Sequence, residues 1–146
     1  MNSHRHSPLY RGALAYFALV FGAGFLLGMI RVPLVVPRIG ERYAELAEMP
    51  LMFVAILFAA RHVVRKYGVG VGPGALFVMG VLALLLLLSA ELLLAVVVAG
   101  GGVIDYATGR DPVSGGVYIV MLIVFAAMPW LQAHGTNRRS SKSRKS

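Results

Sequence analysis

Residues 75–99 read ALFVMGVLALLLLLSAELLLAVVVA, and this stretch decides the fold. It is apolar on every face of a helix except at Ser89 and Glu91, so it lacks the amphipathic stripe of a helix from a soluble protein. It is also longer than the about 20 residues that a helix needs to cross the hydrocarbon core of a bilayer. The stretch therefore predicts a transmembrane helix.

The composition of the whole chain agrees with a membrane protein. Of 146 residues, 58% are hydrophobic and 14% are charged, whereas charged residues make up about a quarter of a soluble domain. The chain has no cysteine, which excludes thiol redox chemistry, disulfides and cysteine-ligated metal sites. We expect a single membrane domain.

Four segments have the length and polarity of membrane-spanning helices. They are predicted at residues 12–36, 43–64, 75–99 and 112–133, with Asp111 and Pro112 forming the cap and first turn of the last one. The apolar part of the second segment is short, so this helix must include polar residues at both ends. The expected fold is an all-α four-helix membrane bundle over residues 1–136, followed by a disordered basic tail at 137–146.

The basic residues predict how the bundle is oriented. Ten of the 14 Lys and Arg residues fall in the N-terminal segment, the connection after the second helix and the tail; the others are Arg31, Arg38, Arg42 and Arg110. By the positive-inside rule, both termini lie in the cytoplasm of a multi-pass inner-membrane protein. Because the formal charge of +8 is confined to segments flanking apolar runs, no nucleic-acid partner is expected.

Two charged residues stand alone inside apolar runs, Arg31 in the first helix and Glu91 in the third. An unpaired charge in the membrane centre costs roughly 2.5–3.5 kcal/mol, so we expect each to face protein and to pair with the other. Glu41, Glu45 and Glu48 follow i, i+4, i+7 spacing along one face of the second helix, which leads toward the same depth. The predicted intramembrane charge network consists of Arg31, Arg38, Glu45, Glu48 and Glu91.

Two interpretations of this network stay open. It can orient the helices, as structural ion pairs do, or it can form a proton, ion or headgroup site, because ionisable residues inside a membrane are candidates for function. Pro33 and Pro50 lie beside it and would release backbone carbonyls that could join it.

The remaining motifs are weaker. Gly24-x-x-x-Gly28, preceded by Ala18-x-x-x-Gly22, predicts close helix packing inside the bundle in preference to a homodimer seam. No catalytic constellation, cofactor motif or metal-ligand spacing is present in the sequence, so no enzyme, cofactor or metal is expected. Basic residues of the tail are expected to contact anionic headgroups at the cytoplasmic face: Arg138, Arg139, Lys142, Arg144 and Lys145.

The stretches 22–32, 37–41 and 44–52 together resemble uncharacterised small four-helix proteins of bacterial inner membranes, a resemblance that implies no activity. The leading expectation is a non-enzymatic structural protein or an accessory subunit of a membrane assembly. One alternative is a small oligomeric transporter or channel in which Glu91 or Glu48 titrates with Arg31 as counter-charge. Another is a lipid-headgroup-binding protein or enzyme in which Arg31 and Arg38 hold phosphate. Expected partners are membrane lipids and either further copies of the chain or a larger complex.

Overall fold

The computed structural model of the protein describes residues 7–99 and 111–143, and all regular secondary structure in this part of the chain is helical. Its elements are α1 (Ser7–Ile30), a π-helical turn (Arg31–Val35), α2 (Val36–Ile39), α3 (Glu41–Tyr67), α4 (Pro73–Ala99) and α5 (Pro112–Ser143). Four helical segments are long and apolar enough to cross a membrane: Pro8–Ile39, Glu41–Tyr67, Pro73–Val97 and Pro112–Gly135. The prediction of an all-helical chain with four such segments is confirmed.

Proline and glycine determine the end of the first span. Pro33 lacks an N–H and its ring crowds the preceding helical turn, and the wider π-helical turn accommodates both effects. Gly40 then reverses the chain with φ of +81°, a conformation that glycine adopts without steric cost. Its N–H donates to the Val36 carbonyl at 2.9 Å. As a result, α3 begins directly at Glu41 and runs antiparallel to the first span.

The two ends of α5 differ in how well the sequence predicts them. The Asp111 Oδ2 atom accepts hydrogen bonds from the N–H groups of Val113 at 3.1 Å and Ser114 at 3.2 Å, which confirms the predicted cap. At the other end the helix continues to Ser143, so the predicted disordered tail begins as helix. No proline follows Gly135, and Lys and Arg are good helix formers. Residues 144–146 lie outside the described part.

The helices form a ring in the order α1, α3, α5, α4. Helices α1 and α5 each pack against both α3 and α4, so α1 and α5 face each other across the bundle. Tyr16 and Phe125 bridge this diagonal, since their rings stack with centroids 4.4 Å apart and the Tyr16 hydroxyl donates to the Phe125 carbonyl at 2.8 Å. The stacked pair joins the two hairpins, α1–α3 and α4–α5, in the middle of the bundle.

The first span packs tightly in only one half of the bundle. The terminal end, where α1 and α4 begin and α3 and α5 finish, contains the buried side chains Ala13, Tyr16 and Val20 of α1. A Cβ atom on Gly80 would lie 2.0 Å from the Ala126 carbonyl oxygen, so α4 and α5 approach backbone to backbone there. Beyond Val20, the first span has no buried hydrophobic residue among those described. The opposite end, called the polar end below, is therefore less densely packed.

Candidate functional site

The polar half of the bundle contains a cavity of about 680 Å³. All four spans line it, and most of its walls are apolar. Its floor consists of four residues that also belong to the hydrophobic core: Val20, Ile56, Leu87 and Phe125. Its charged or hydroxyl-bearing lining residues are Arg31, Glu45, Glu48, Glu91 and Tyr118. The cavity brings four of the five predicted network residues to one place.

Glycines of α1 form part of the cavity wall. Gly24 and Gly28 both line it; a Cβ atom on Gly28 would meet nothing within 4 Å, and one on Gly24 would touch Met52 at 3.4 Å. Gly22 has equally open surroundings but does not line the cavity. The predicted close packing of helices through this motif is therefore absent at Gly28 and reaches ordinary side-chain contact at Gly24. The close approach occurs instead at Gly80, which the spacing motif did not identify.

Arg31 forms ion pairs with two carboxylates of α3. Its Nη1 atom lies 3.3 Å from Glu45 Oε1, and its Nε atom lies 3.0 Å from Glu48 Oε2. The side chains are mostly buried, with 24%, 12% and 16% of their surfaces exposed. Arg31 Nε and Glu48 Oε2 are fully shielded and form no hydrogen bond within the described residues, so their contact is an ion pair alone. The tight turn at Gly40 sets the hairpin register that brings these groups together.

Glu91 has a different partner from the one that the sequence predicts. It accepts a hydrogen bond from the Tyr118 hydroxyl, which links α4 to α5. Among the described residues it forms no ion pair, with Arg31 or otherwise. The predicted Arg31–Glu91 pair is wrong because matching depths along two helices do not fix their rotation. Glu45 and Glu48 of α3 face Arg31. On another wall of the cavity, the Tyr118 hydroxyl donates a hydrogen bond to Glu91.

The polar end has a third link, between α3 and α5. The guanidinium of Arg42 donates to Asp111 Oδ1. The pKa of Asp111 lies below its usual range mainly because of this hydrogen bond. The hydrogen bonds from the backbone N–H groups of Ser114 and Val113 lower the pKa to a smaller extent. Arg38, predicted as a network member, is exposed and forms no ion pair within the described residues. This pair was not predicted, although Arg42 and Asp111 both lie at the starts of helices at the same end of the bundle, which is the signal that could have indicated it.

The predicted headgroup-contact residues fall outside this description. Arg144 and Lys145 lie beyond the described residues, as do the side chains of Arg138, Arg139 and Lys142.

The arrangement can hold a largely apolar molecule between two walls that each carry one group of polar side chains. One wall carries Arg31 with Glu45 and Glu48, and the other carries Glu91 with Tyr118. In the described part of the chain, the carboxylates do not converge with other His, Asp or Glu side chains into a metal-ligand set. Comparison with protein-family models, with curated proteins and with solved structures finds no match to this chain.

Proposed function

We propose that this protein is a small carrier or transporter of the bacterial inner membrane that binds a hydrophobic small molecule in the cavity of its polar half. The observation that carries the proposal is the cavity itself. Its volume of about 680 Å³ lies within the about 300–1,000 Å³ of ordinary small-molecule sites. Such sites combine apolar walls with a few placed polar groups, which matches this lining.

The packing of the bundle supports access from one side. Phe125 belongs to the floor, and its buried ring stacks on the buried ring of Tyr16 on the side of the terminal end, so the pair separates the cavity from that end. The basic residues favour a cytoplasmic location for the terminal end, since ten of the 14 Lys and Arg residues belong to it. In this orientation, the cavity lies in the outer half of the membrane.

A structural or accessory subunit is the second candidate. The polar groups that line the cavity pair with one another inside each hairpin: Arg31 connects the first span to α3, and Glu91 with Tyr118 connects α4 to α5. The Arg42–Asp111 pair connects the two hairpins. Such links orient helices without any ligand. This function requires the polar links but has no need of an open cavity.

Filling the cavity separates the two candidates. In Gly28→Leu, the new side chain enters the cavity, whereas Gly22→Leu adds the same side chain to the same helix at a position that does not line it. Native mass spectrometry of protein released from membranes is expected to detect a bound hydrophobic molecule on the wild type and on Gly22→Leu. Gly28→Leu is expected to have lost it. Equal occupancy in all three proteins, or none in any, would contradict the carrier function.

A further inference from the structure

We infer that the molecule held in the cavity is a lipophilic cation, whose charge is neutralised by Glu91. This inference rests on the proposed function, because it identifies the chemical class of the ligand of the same cavity. It follows from the charges on the cavity walls and from which of them are already paired.

The lining carries more negative than positive groups. Three carboxylates and one guanidinium face the cavity. The guanidinium of Arg31 already contacts Glu48 at 3.0 Å and Glu45 at 3.3 Å, so two carboxylates offset its positive charge. Arg38, the other candidate for a phosphate group, does not line the cavity. A ligand with a positive charge reduces the excess of negative charge in the lining, whereas an anion would add to that excess.

Glu91 is the carboxylate that remains for such a ligand. Within the described residues, no cationic side chain pairs with it, and the Tyr118 hydroxyl donates to its Oε2 atom. A hydrogen bond from a hydroxyl orients a carboxylate without cancelling its charge. Because the surrounding walls are apolar, attraction between Glu91 and a bound cation is stronger than it would be in water.

The aromatic residues of the lining add to this preference. Phe21, Phe25, Phe125 and Tyr118 all line the cavity. The faces of aromatic rings attract cations, and this attraction increases when the cation is removed from water. The apolar body of a lipophilic cation would contact the same rings, so that one set of side chains serves both parts of the ligand.

Two probes of one shape and opposite charge test the inference. Tetraphenylphosphonium and tetraphenylborate are titrated into wild-type protein in nanodiscs of zwitterionic lipid, and binding is measured by calorimetry against empty nanodiscs. We expect the cation to bind and the anion to bind at least tenfold more weakly. Glu91→Gln, which keeps an acceptor for Tyr118, is expected to weaken cation binding by about tenfold or more, equivalent to about 1.4 kcal/mol.

Matched variants control for folding and for surface charge. Glu41→Gln removes an exposed carboxylate of the polar end that does not line the cavity, and it is expected to bind the cation as the wild type does. Glu91→Asp keeps the charge and is expected to bind more tightly than Glu91→Gln, which distinguishes loss of charge from loss of structure.

The outcomes separate this inference from the proposed function. If the anion binds as tightly as the cation, or if Glu91→Gln binds the cation like the wild type while Gly28→Leu does not, the cavity is a binding site but the ligand is not a cation. If neither probe binds, the cation class is also overturned, and the native mass spectrometry of Gly28→Leu decides the carrier function independently.

Discussion

The partner of Arg31 gives the sharpest test of the architecture, because the structure and a simple depth argument name different residues. The Glu48 carboxylate lies 3.0 Å from Arg31 Nε, and the side chains are 16% and 24% exposed. An exposed ion pair contributes about 0–1 kcal/mol, and removal of one partner of a fully buried pair costs about 3–5 kcal/mol. Since Glu45 still pairs with Arg31 in Glu48→Gln, we expect this variant to lose an intermediate amount, about 1–2 kcal/mol of unfolding free energy.

Removal of both carboxylates should cost more than this. In Glu45→Gln/Glu48→Gln, Arg31 would remain inside the membrane without an acidic partner. An uncompensated arginine at the centre of a transmembrane helix costs roughly 2.5–3.5 kcal/mol, and Arg31, which lies eight residues before the end of the first span at Ile39, should cost no more than this. Arg31→Met, which replaces the charge by a flexible apolar side chain, should restore part of the stability lost in this double variant.

Double-mutant cycles decide between Glu48 and Glu91 as the partner of Arg31. Unfolding free energies are measured by equilibrium SDS titration in bicelles, with helix content followed by circular dichroism. We expect a coupling of about 1–2 kcal/mol between Arg31→Met and Glu48→Gln, whereas Arg31→Met and Glu91→Gln should add within about 0.5 kcal/mol. A larger coupling between Arg31 and Glu91 than between Arg31 and Glu48 would refute the placement of Arg31 and Glu91 on different walls of the cavity.

Three further variants, two of them paired with a control variant, test other parts of the bundle. Gly80→Ala should destabilise the protein by about 1–3 kcal/mol because its methyl group meets a backbone carbonyl, whereas Gly116→Ala, in open surroundings, should be neutral or stabilising in the same SDS titration. Tyr16→Phe should cost about 0.5–1.5 kcal/mol for a buried hydrogen bond, and the exposed Tyr10→Phe should cost nothing measurable. Asp111 has a lowered pKa, so it contributes stability above its unfolded pKa of about 3.9, which is lost as pH falls through the folded value. Asp111→Asn keeps the cap, and its melting temperature should fall less on acidification; an equal fall in both proteins would contradict this linkage.

The sequence predicts the helices well because their signals are local. A 25-residue span that is apolar except at Ser89 and Glu91, Asp111 before Pro112, and prolines near the ends of spans each act within one or two helical turns. The structure follows these signals at the start of α5, whereas the first span, predicted to end at residue 36, continues through Pro37 to Ile39 before the chain reverses at Gly40. The continuation of α5 to Ser143 was missed because basic composition indicates solvation and carries no information against helix.

The cavity could not be predicted, because it depends on how the helices are rotated about their axes. Arg31 and Glu91 do line one cavity, as their matching depths indicated, yet they lie on different walls. The side of a soluble helix that faces the core is recognised because it is apolar and the other side is polar. A membrane helix that is apolar all round has no such difference, so its sequence does not show which side faces the bundle. The close approach at Gly80 was unpredictable for the same reason, since the sequence does not show which small residue of α4 faces α5.

The positions of the polar links suggest why a cavity persists in this half of the bundle. Arg31 with its two carboxylates ties the first span to α3, and Glu91 with Tyr118 ties α4 to α5, so each hairpin satisfies the polar groups that it contributes to the cavity lining. A pair between Arg31 and Glu91 would have drawn the hairpins together across the space that the cavity occupies. Lipid gives no hydrophobic drive to close that space, because lipid tails are as apolar as the lining. The hairpins are joined at Tyr16 and Phe125 and, at the polar end, by the exposed Arg42–Asp111 pair. A change in their separation at the polar end would open the Arg42–Asp111 pair, whereas the charged groups that line the cavity would keep their partners within each hairpin.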